Sequence, residues 1–410
     1  MGNDWSRLIG ENRHLIIFGF LMTFFSSFGQ TFMVSIYVPE ILQAFELSNA
    51  SFGSIYAAAT LLSALCLTWA GRFIDLIDLK KFTWLVVGGM VVSLLVFSQA
   101  RHIVLLVIGL WGIRLSGQGL MSHTAITTMG RYFDHVRGKA ISITTLGHPA
   151  GSAAFPVLIA FSISFIGWRS TLLASAALVA FLLPPAIAYL LRNQQTDPAA
   201  FRKEEEEKPA VKTTERTISY QTIIRNRYFW LIAPGTMALP LLNTALFFYQ
   251  IAIGNAKGWT TEWVAASFIA YAVASAFCTL VAGQLVDRLS AKKLFPFYLF
   301  PLLLGILLLI TSSAIWVPPV YLTLMGISSG FGNTTKSALQ AEAFGIEYLG
   351  TVRSLFTALM VISTAIGPAA FGLLLDGGFS FEEVLMIAAV YLSLTILWNF
   401  RILFAKPAAS

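Results

Sequence analysis

The chain has 410 residues, of which 57% are hydrophobic and 11% charged. A soluble domain carries about 25% charged residues, so this composition excludes a soluble globular protein. The net charge of +7 is spread over alternate short loops rather than gathered on one face, which argues for a topology signal and against a nucleic-acid surface.

Twelve segments reach the roughly 20 apolar residues that a membrane-crossing helix needs. They lie at about 14–38, 51–71, 82–99, 103–125, 139–164, 168–192, 228–253, 262–284, 294–312, 317–341, 349–375 and 381–404. The expected fold is all-α and integral to the membrane, with twelve transmembrane helices. The domains expected are a six-helix bundle over 1–192, a cytoplasmic linker over 193–227 and a second six-helix bundle over 228–410. The linker carries the acidic run Glu204–Glu207 and reads as a solvated tether. With both termini in the cytoplasm, 22 of the 27 Lys and Arg residues fall on the inner side. Arg101, Arg169 and Lys257 fall outside, and Arg114 and Lys336 lie within spans. That asymmetry satisfies the positive-inside rule. The first span is too long for a signal-peptide core and is read as a permanent helix. The triplet Asn49-Ala50-Ser51 sits close to the membrane, where Ser48 or Asn49 is expected to cap the second helix.

Residues 63–81 and 275–293 match at eight of nineteen positions with a constant offset of 212. The same offset relates Tyr37 to Tyr249, Ser142 to Ser354, Thr145 to Thr357, Gly138 to Gly350 and Pro156 to Pro368. It also superposes the only two cysteines, Cys66 and Cys278. The chain reads as a duplicated half, the pattern of transporters whose repeats move about a central site. Cysteines inside spans make neither a disulfide framework nor a metal cluster, and no cofactor is expected.

The repeated segments run Gly71-Arg72-Phe73-Ile74-Asp75-Leu76-Ile77-Asp78-Leu79-Lys80-Lys81 and Gly283-Gln284-Leu285-Val286-Asp287-Arg288-Leu289-Ser290-Ala291-Lys292-Lys293. With twelve spans, a six-plus-six repeat and a long central loop, they resemble the loop motif of the major facilitator superfamily: a glycine, an aspartate four residues on, then a basic residue and a Gly-basic-basic run. The first copy departs from it at Leu76 and Asp78; the second keeps Arg288. The resemblance covers essentially the whole chain and is specific for fold, while substrate varies widely on one architecture. It implies a gating role for Gly71, Asp75, Lys80, Lys81, Gly283, Asp287 and Arg288. Gly71 permits close helix approach. Asp75 is expected to meet a helix N-terminus of the second half near Gly350. Lys80 and Lys81 are expected to hold the loop at an anionic membrane face, or merely to set topology.

The resemblance also implies a substrate site near the bilayer midplane. Ionisable residues within a membrane are costly and mark function by default. Arg114 lies near the centre of span four, in a run that resembles the family's Arg, Gln and Gly motif with Gln118 one position late. At i and i+4, Arg114 and Gln118 are expected on one helix face. Span one offers Ser26, Ser27, Gln30 and Thr31 and no central acid, so Arg114 is read as meeting an anionic ligand; the alternative is a structural arginine bonded to carbonyls. Lys336, the second buried cation, is expected to bind substrate or to pair near Glu342 and Glu347. Gln30, Thr31, Tyr37, Asn243, Tyr249 and Gln250 are candidate lining residues, each with a plain helix-packing alternative. His148, in Gly147-His148-Pro149-Ala150-Gly151, is a candidate proton carrier where span five is expected to bend, with a packing histidine as the alternative. His123 is read as a neighbour contact.

Two buried cations without a central acid favour a small anion, an organic carboxylate, carried by a proton-coupled secondary transporter. The expected partners are the substrate, the lipid bilayer and protons, without nucleic acid, for a monomer in a bacterial cytoplasmic membrane. The competing readings are drug/proton export and a non-transporting sensor on the same fold. An enzyme is not expected: the spans carry no metal-ligand spacing, nucleotide loop or nucleophile–base pair.

Overall fold

The computed structural model describes residues 13–133, 137–194, 196, 219–345 and 348–404. Most of the linker, including Glu204–Glu207, lies outside these residues. Every regular element among the described residues is helical. Among the described residues, nine helical runs are long and apolar enough to cross a membrane. One of them, Gly138–Leu190, spans 53 residues and is interrupted at Gly167, whose φ of 74° and ψ of 162° break the helix. Glycine reaches positive φ without a Cβ penalty. Phe300–Thr311 is apolar but only 12 residues long. Val317–Phe344 has the length, at 28 residues, but Ser328, Ser329, Asn333 and Lys336 make it more polar than the nine.

The chain divides into two compact units, one of 1–45 and 58–211 and one of 46–57 and 212–410. In the first unit, α1 (Arg13–Phe25) and α2 (Thr31–Phe45) are two parts of one run, separated by a 3-10 turn over Ser26–Gly29. Then follow α3 (Asn49–Ala70), α4 (Leu79–Ser98), α5 (Ile103–Ile113), α6 (Ser122–Tyr132), α7 (Arg137–Thr145) and α8 (Gly147–Leu190). Where span five is expected to bend, α7 stops at Thr145 and α8 starts at Gly147, a one-residue break at Leu146, whose dihedrals stay helical. Pro149 lies in the first turn of α8, where proline is tolerated. Gly147 and Gly151 lie against α1, so close that a Cβ on either would collide with the Thr23 or Ser27 hydroxyl.

The second unit holds α9 (Tyr220–Arg225), α10 (Arg227–Ala256), α11 (Thr261–Leu289), α12 (Ala291–Leu294), α13 (Phe300–Thr311), α14 (Val317–Phe344), α15 (Leu349–Asp376) and α16 (Phe381–Phe400). Gly326 and Gly330 repeat the small-residue spacing. Their Cβ positions would fall 2.5 Å from the Tyr271 carbonyl and 2.6 Å from that of Ser275, so α14 crosses α11 at backbone contact, as small residues permit within membranes.

The N-terminal end of α3 belongs to the second unit for identifiable reasons. Asp376, which ends α15, accepts the N–H groups of Asn49 (3.1 Å) and Ala50 (2.8 Å). Ser48 Oγ takes the Ser51 N–H at 3.2 Å, the cap expected from the sequence. A helix N-terminus leaves such donors unsatisfied and favours a carboxylate. Tyr56 and Phe52 pack on Phe248, with ring centroids 4.9 and 5.4 Å away.

Candidate functional site

In the first unit the break in span one meets an irregular stretch of span four. Arg114–Met121 is a π-helix between α5 and α6. Such stretches bond i to i+5 and occur frequently at functional sites. Glycine on both sides permits the contact: a Cβ on Gly29 would collide with the Ile113 carbonyl and lie 2.5 Å from the Gln118 nitrogen, and one on Gly117 would lie 2.8 Å from the Gly29 nitrogen. Gln118 meets Gly29 through its backbone.

Arg114 is 2% exposed. Its Nη1 donates to the Gly29 carbonyl at 3.3 Å and to Thr31 Oγ1 at 3.4 Å. Both acceptors are neutral and sit at the break in span one, so the reading of Arg114 as an arginine without a protein partner is corrected. The guanidinium binds the chain interruption at the Gly29 carbonyl, while the neighbouring Ser27 and Gln30 carbonyls accept backbone N–H groups. Gln30, half-buried, lies in this interruption with extended backbone. Tyr37 is buried, its ring 6.3 Å from Phe97.

His148 lies beside the same junction. Its Nδ1 is 3.4 Å from Ser26 Oγ and its Nε2 is 3.4 Å from Ser122 Oγ. One serine belongs to the break in span one and the other immediately follows the π-helix. Ser26 Oγ donates to the Thr23 carbonyl at 2.6 Å, so toward His148 it accepts from Nδ1–H, which leaves Nε2 to accept from the Ser122 hydroxyl.

In the second unit, Asn243 Nδ2 donates to Ser329 Oγ at 2.7 Å, while its Oδ1 is buried without a partner among the described residues. Gln250 is 1% exposed, and neither its amide oxygen nor its nitrogen has a partner among the described residues. Buried amides normally find partners, so Gln250 is an exception among the described residues. Tyr249 differs: its hydroxyl lies 3.1 Å from both the Asn49 and Pro368 carbonyls, which makes it a brace between helices.

Lys336, 3% exposed on α14, makes no hydrogen bond or ion pair among the described residues. Glu342, its expected partner, instead accepts the backbone N–H groups of Ala291 (2.8 Å) and Lys292 (3.1 Å), capping α12. Glu347 lies outside the described residues. Holding an ammonium away from water costs several kcal/mol unless an anion compensates, and no such anion lies beside Lys336 among the described residues.

The two loop motifs are built differently. Asp75 Oδ1 pairs with Arg131 Nη2 at 2.5 Å, and Arg131 Nη1 also reaches the Ile74 carbonyl at 3.4 Å. The first unit thus supplies a side-chain partner for the charge expected to meet a helix terminus of the second half. His123 Nε2 lies 3.1 Å from the Gly71 carbonyl, and a Cβ on Gly71 would sit 3.2 Å from that nitrogen. Asp78 caps α4 through the Lys81 N–H at 3.1 Å and accepts the Thr196 hydroxyl. In the second copy nothing lies within 4 Å of a Cβ on Gly283, and Asp287 and Arg288 are exposed without a hydrogen bond or ion pair among the described residues.

Sequence reasoning missed Arg131, Ser122 and the π-helix. The available signals were the glycine pair Gly117 and Gly119 around Gln118, and a basic residue at the end of span four.

Comparison with known proteins agrees with this architecture. The family model of the Major Facilitator Superfamily matches residues 19–270 and 242–410. Monocarboxylate transporter 11 of Mus musculus is 29% identical over 38% of this chain and 35% of its own length. The gallate transporter of Pseudomonas putida is 31% identical over 44% of this chain and 41% of its own. The chain therefore aligns with well under half of either relative. Monocarboxylate transporter 6 of Homo sapiens is 24% identical over 88% of the chain and 74% of its own length. Among solved structures, the nucleoside transporter NupG shares the fold with a TM-score of 0.76 at 12% identity, covering 97% of this chain and 100% of its own. A bacterial homologue of the human lysosomal transporter Spinster, inward-facing and unoccupied, gives 0.72 at 13% identity, covering 97% and 99%. Matched in both halves by the family model, the chain belongs to the Major Facilitator Superfamily.

Proposed function

We propose that this transporter moves a small organic carboxylate by alternating access, in symport with protons, through twelve membrane passes with both termini in the cytoplasm of a bacterial cell. The observation that carries the reading is the buried charge: each unit holds a cation deep in its helices, Arg114 at 2% and Lys336 at 3% exposure. Buried cations on a transport pathway favour anionic cargo. Three of the relatives described above are named for monocarboxylates or for gallate, which supports the same substrate class. Gln250 and the Asn243 carbonyl oxygen offer uncommitted polar groups: the Gln250 amide N–H can donate to a carboxylate oxygen, and the Asn243 oxygen can accept from a substrate hydroxyl. His148, between two serine hydroxyls, is the group proposed to carry the coupled proton, which offsets the cost of bringing an anion into a cell with a negative interior.

A thermal-shift screen of the purified protein tests this reading. Aliphatic carboxylates and hydroxybenzoates are expected to raise the unfolding temperature of the wild type, and Lys336→Ala to remove that response. Stabilisation by lipophilic cations alone would overturn the proposal in favour of drug export, and stabilisation by neutral sugars alone would remove its charge argument.

A further inference from the structure

We propose that a groove on the first unit, separate from the buried cations, seats one anionic phospholipid with its acyl chain between α3, α4 and α5. The groove encloses about 550 Å³ and is walled by Trp69, Phe73, Leu85, Val92, Ile108 and Trp111. Its rim is exposed although it lies within apolar spans: Leu85 is 65% and Val92 59% exposed. Such a surface faces hydrocarbon, not water. Gly89 lies in the groove's floor against Ser116, where a larger side chain would fill the space.

Length and charge define the occupant. Along α4 the lining runs from Phe82 to Val96, roughly 21 Å at 1.5 Å per residue. One leaflet of the hydrocarbon core is about 15 Å deep, so the groove accommodates a chain that enters from the membrane face and ends near the midplane. The end at Trp69, Phe73 and Phe82 is interleaved in sequence with Arg72, Lys80 and Lys81. None of these three side chains has a protein acceptor among the described residues. The loop's acids are already engaged, Asp75 by Arg131 and Asp78 by the cap of α4 and the Thr196 hydroxyl. Three uncommitted bases at the mouth of a chain-length apolar groove match a phosphate headgroup above an acyl tail. Tryptophan at the same level is suited to the interface.

Native mass spectrometry tests the seat on full-length protein released from detergent micelles containing equal amounts of palmitoyl-oleoyl phosphatidylglycerol and phosphatidylcholine. One phosphatidylglycerol is expected to be retained, about fivefold or more over phosphatidylcholine. The triple variant R72Q/K80Q/K81Q is expected to lose the preference. Val92→Trp fills the groove from its membrane side without entering the protein core, and is expected to release the lipid while leaving the basic residues in place. Equal retention of the two lipids, or a preference unchanged in both variants, would overturn the proposal. So would displacement of the lipid by millimolar glycerol 3-phosphate, because it would reveal a surface anion site without a tail. None of these outcomes depends on which solute is transported.

Discussion

Arg114 Nη1 lies 3.3 Å from the carbonyl of Gly29, so the one arginine at the centre of span four is tied to the one interruption in span one. A chain break within a membrane frees backbone carbonyls that must find donors. The guanidinium supplies them in a planar, permanently charged form. Arg114→Lys is expected to keep the charge but lose this geometry, lowering stability by about 1.5–3 kcal/mol and transport by tenfold or more. Thermal unfolding and uptake measured on the same preparation check both effects.

The junction also predicts a sharp contrast between glycines. A Cβ at Gly29 meets the backbone of Ile113 and Gln118, whereas one at Gly130 meets nothing within 4 Å. Gly29→Ala is expected to cost about 1–3 kcal/mol through overpacking. Gly130→Ala is expected to be neutral, or stabilising by up to ~1 kcal/mol through helix propensity. Unfolding midpoints of the two variants in the same detergent decide the matter.

Lys336 predicts opposite signs for stability and function. Replacing a buried, uncompensated ammonium with an apolar chain of similar length relieves desolvation. Lys336→Met is therefore expected to unfold at a higher temperature than the wild type without ligand, by the equivalent of about 1 kcal/mol or more, and to lose stabilisation by carboxylates. A lower unfolding temperature would show that Lys336 is held by protein contacts instead.

Asp75 and Arg131 form a close pair, but their side chains are 56% and 17% exposed. An ion pair this open contributes little to stability, about 0–1 kcal/mol. In a double-mutant cycle of Asp75→Asn with Arg131→Gln, the coupling energy is expected to stay within that range, while transport by either single variant falls several-fold. Transport at wild-type rate in Asp75→Asn would remove the gating role.

Much of the fold was legible from residue pattern, because apolar length and the distribution of Lys and Arg report directly on the bilayer. The buried state of Arg114 and Lys336 followed from the same reasoning. The partners did not. Periodicity assumes an α-helix, so the π-stretch that brings Gln118 to Gly29 was invisible, although Gly117 and Gly119 flank it. Glu342 stood six residues from Lys336 and looked like its partner, yet it turns to cap α12 across 50 residues of chain. Tyr249 looked like a lining group because it repeats Tyr37, while its hydroxyl bridges two carbonyls. Each case was decided by long-range packing, which local spacing does not encode. The loop motifs show the same limit: their sequences match, but a Cβ at Gly71 would crowd the His123 ring, whereas one at Gly283 would meet nothing within 4 Å.

The central claim is that a carboxylate moves together with protons, and pH-jump uptake into proteoliposomes tests it most directly. The probe is the carboxylate that gives the largest thermal shift, with wild type, Arg114→Gln and His148→Gln compared side by side. The account predicts that external acidification drives accumulation in the wild type and that a protonophore abolishes it. It predicts no uptake by Arg114→Gln, and for His148→Gln exchange of the carboxylate without pH-driven accumulation. Failure of the wild type to accumulate the carboxylate under a pH gradient, or accumulation unaffected by both substitutions, would contradict it.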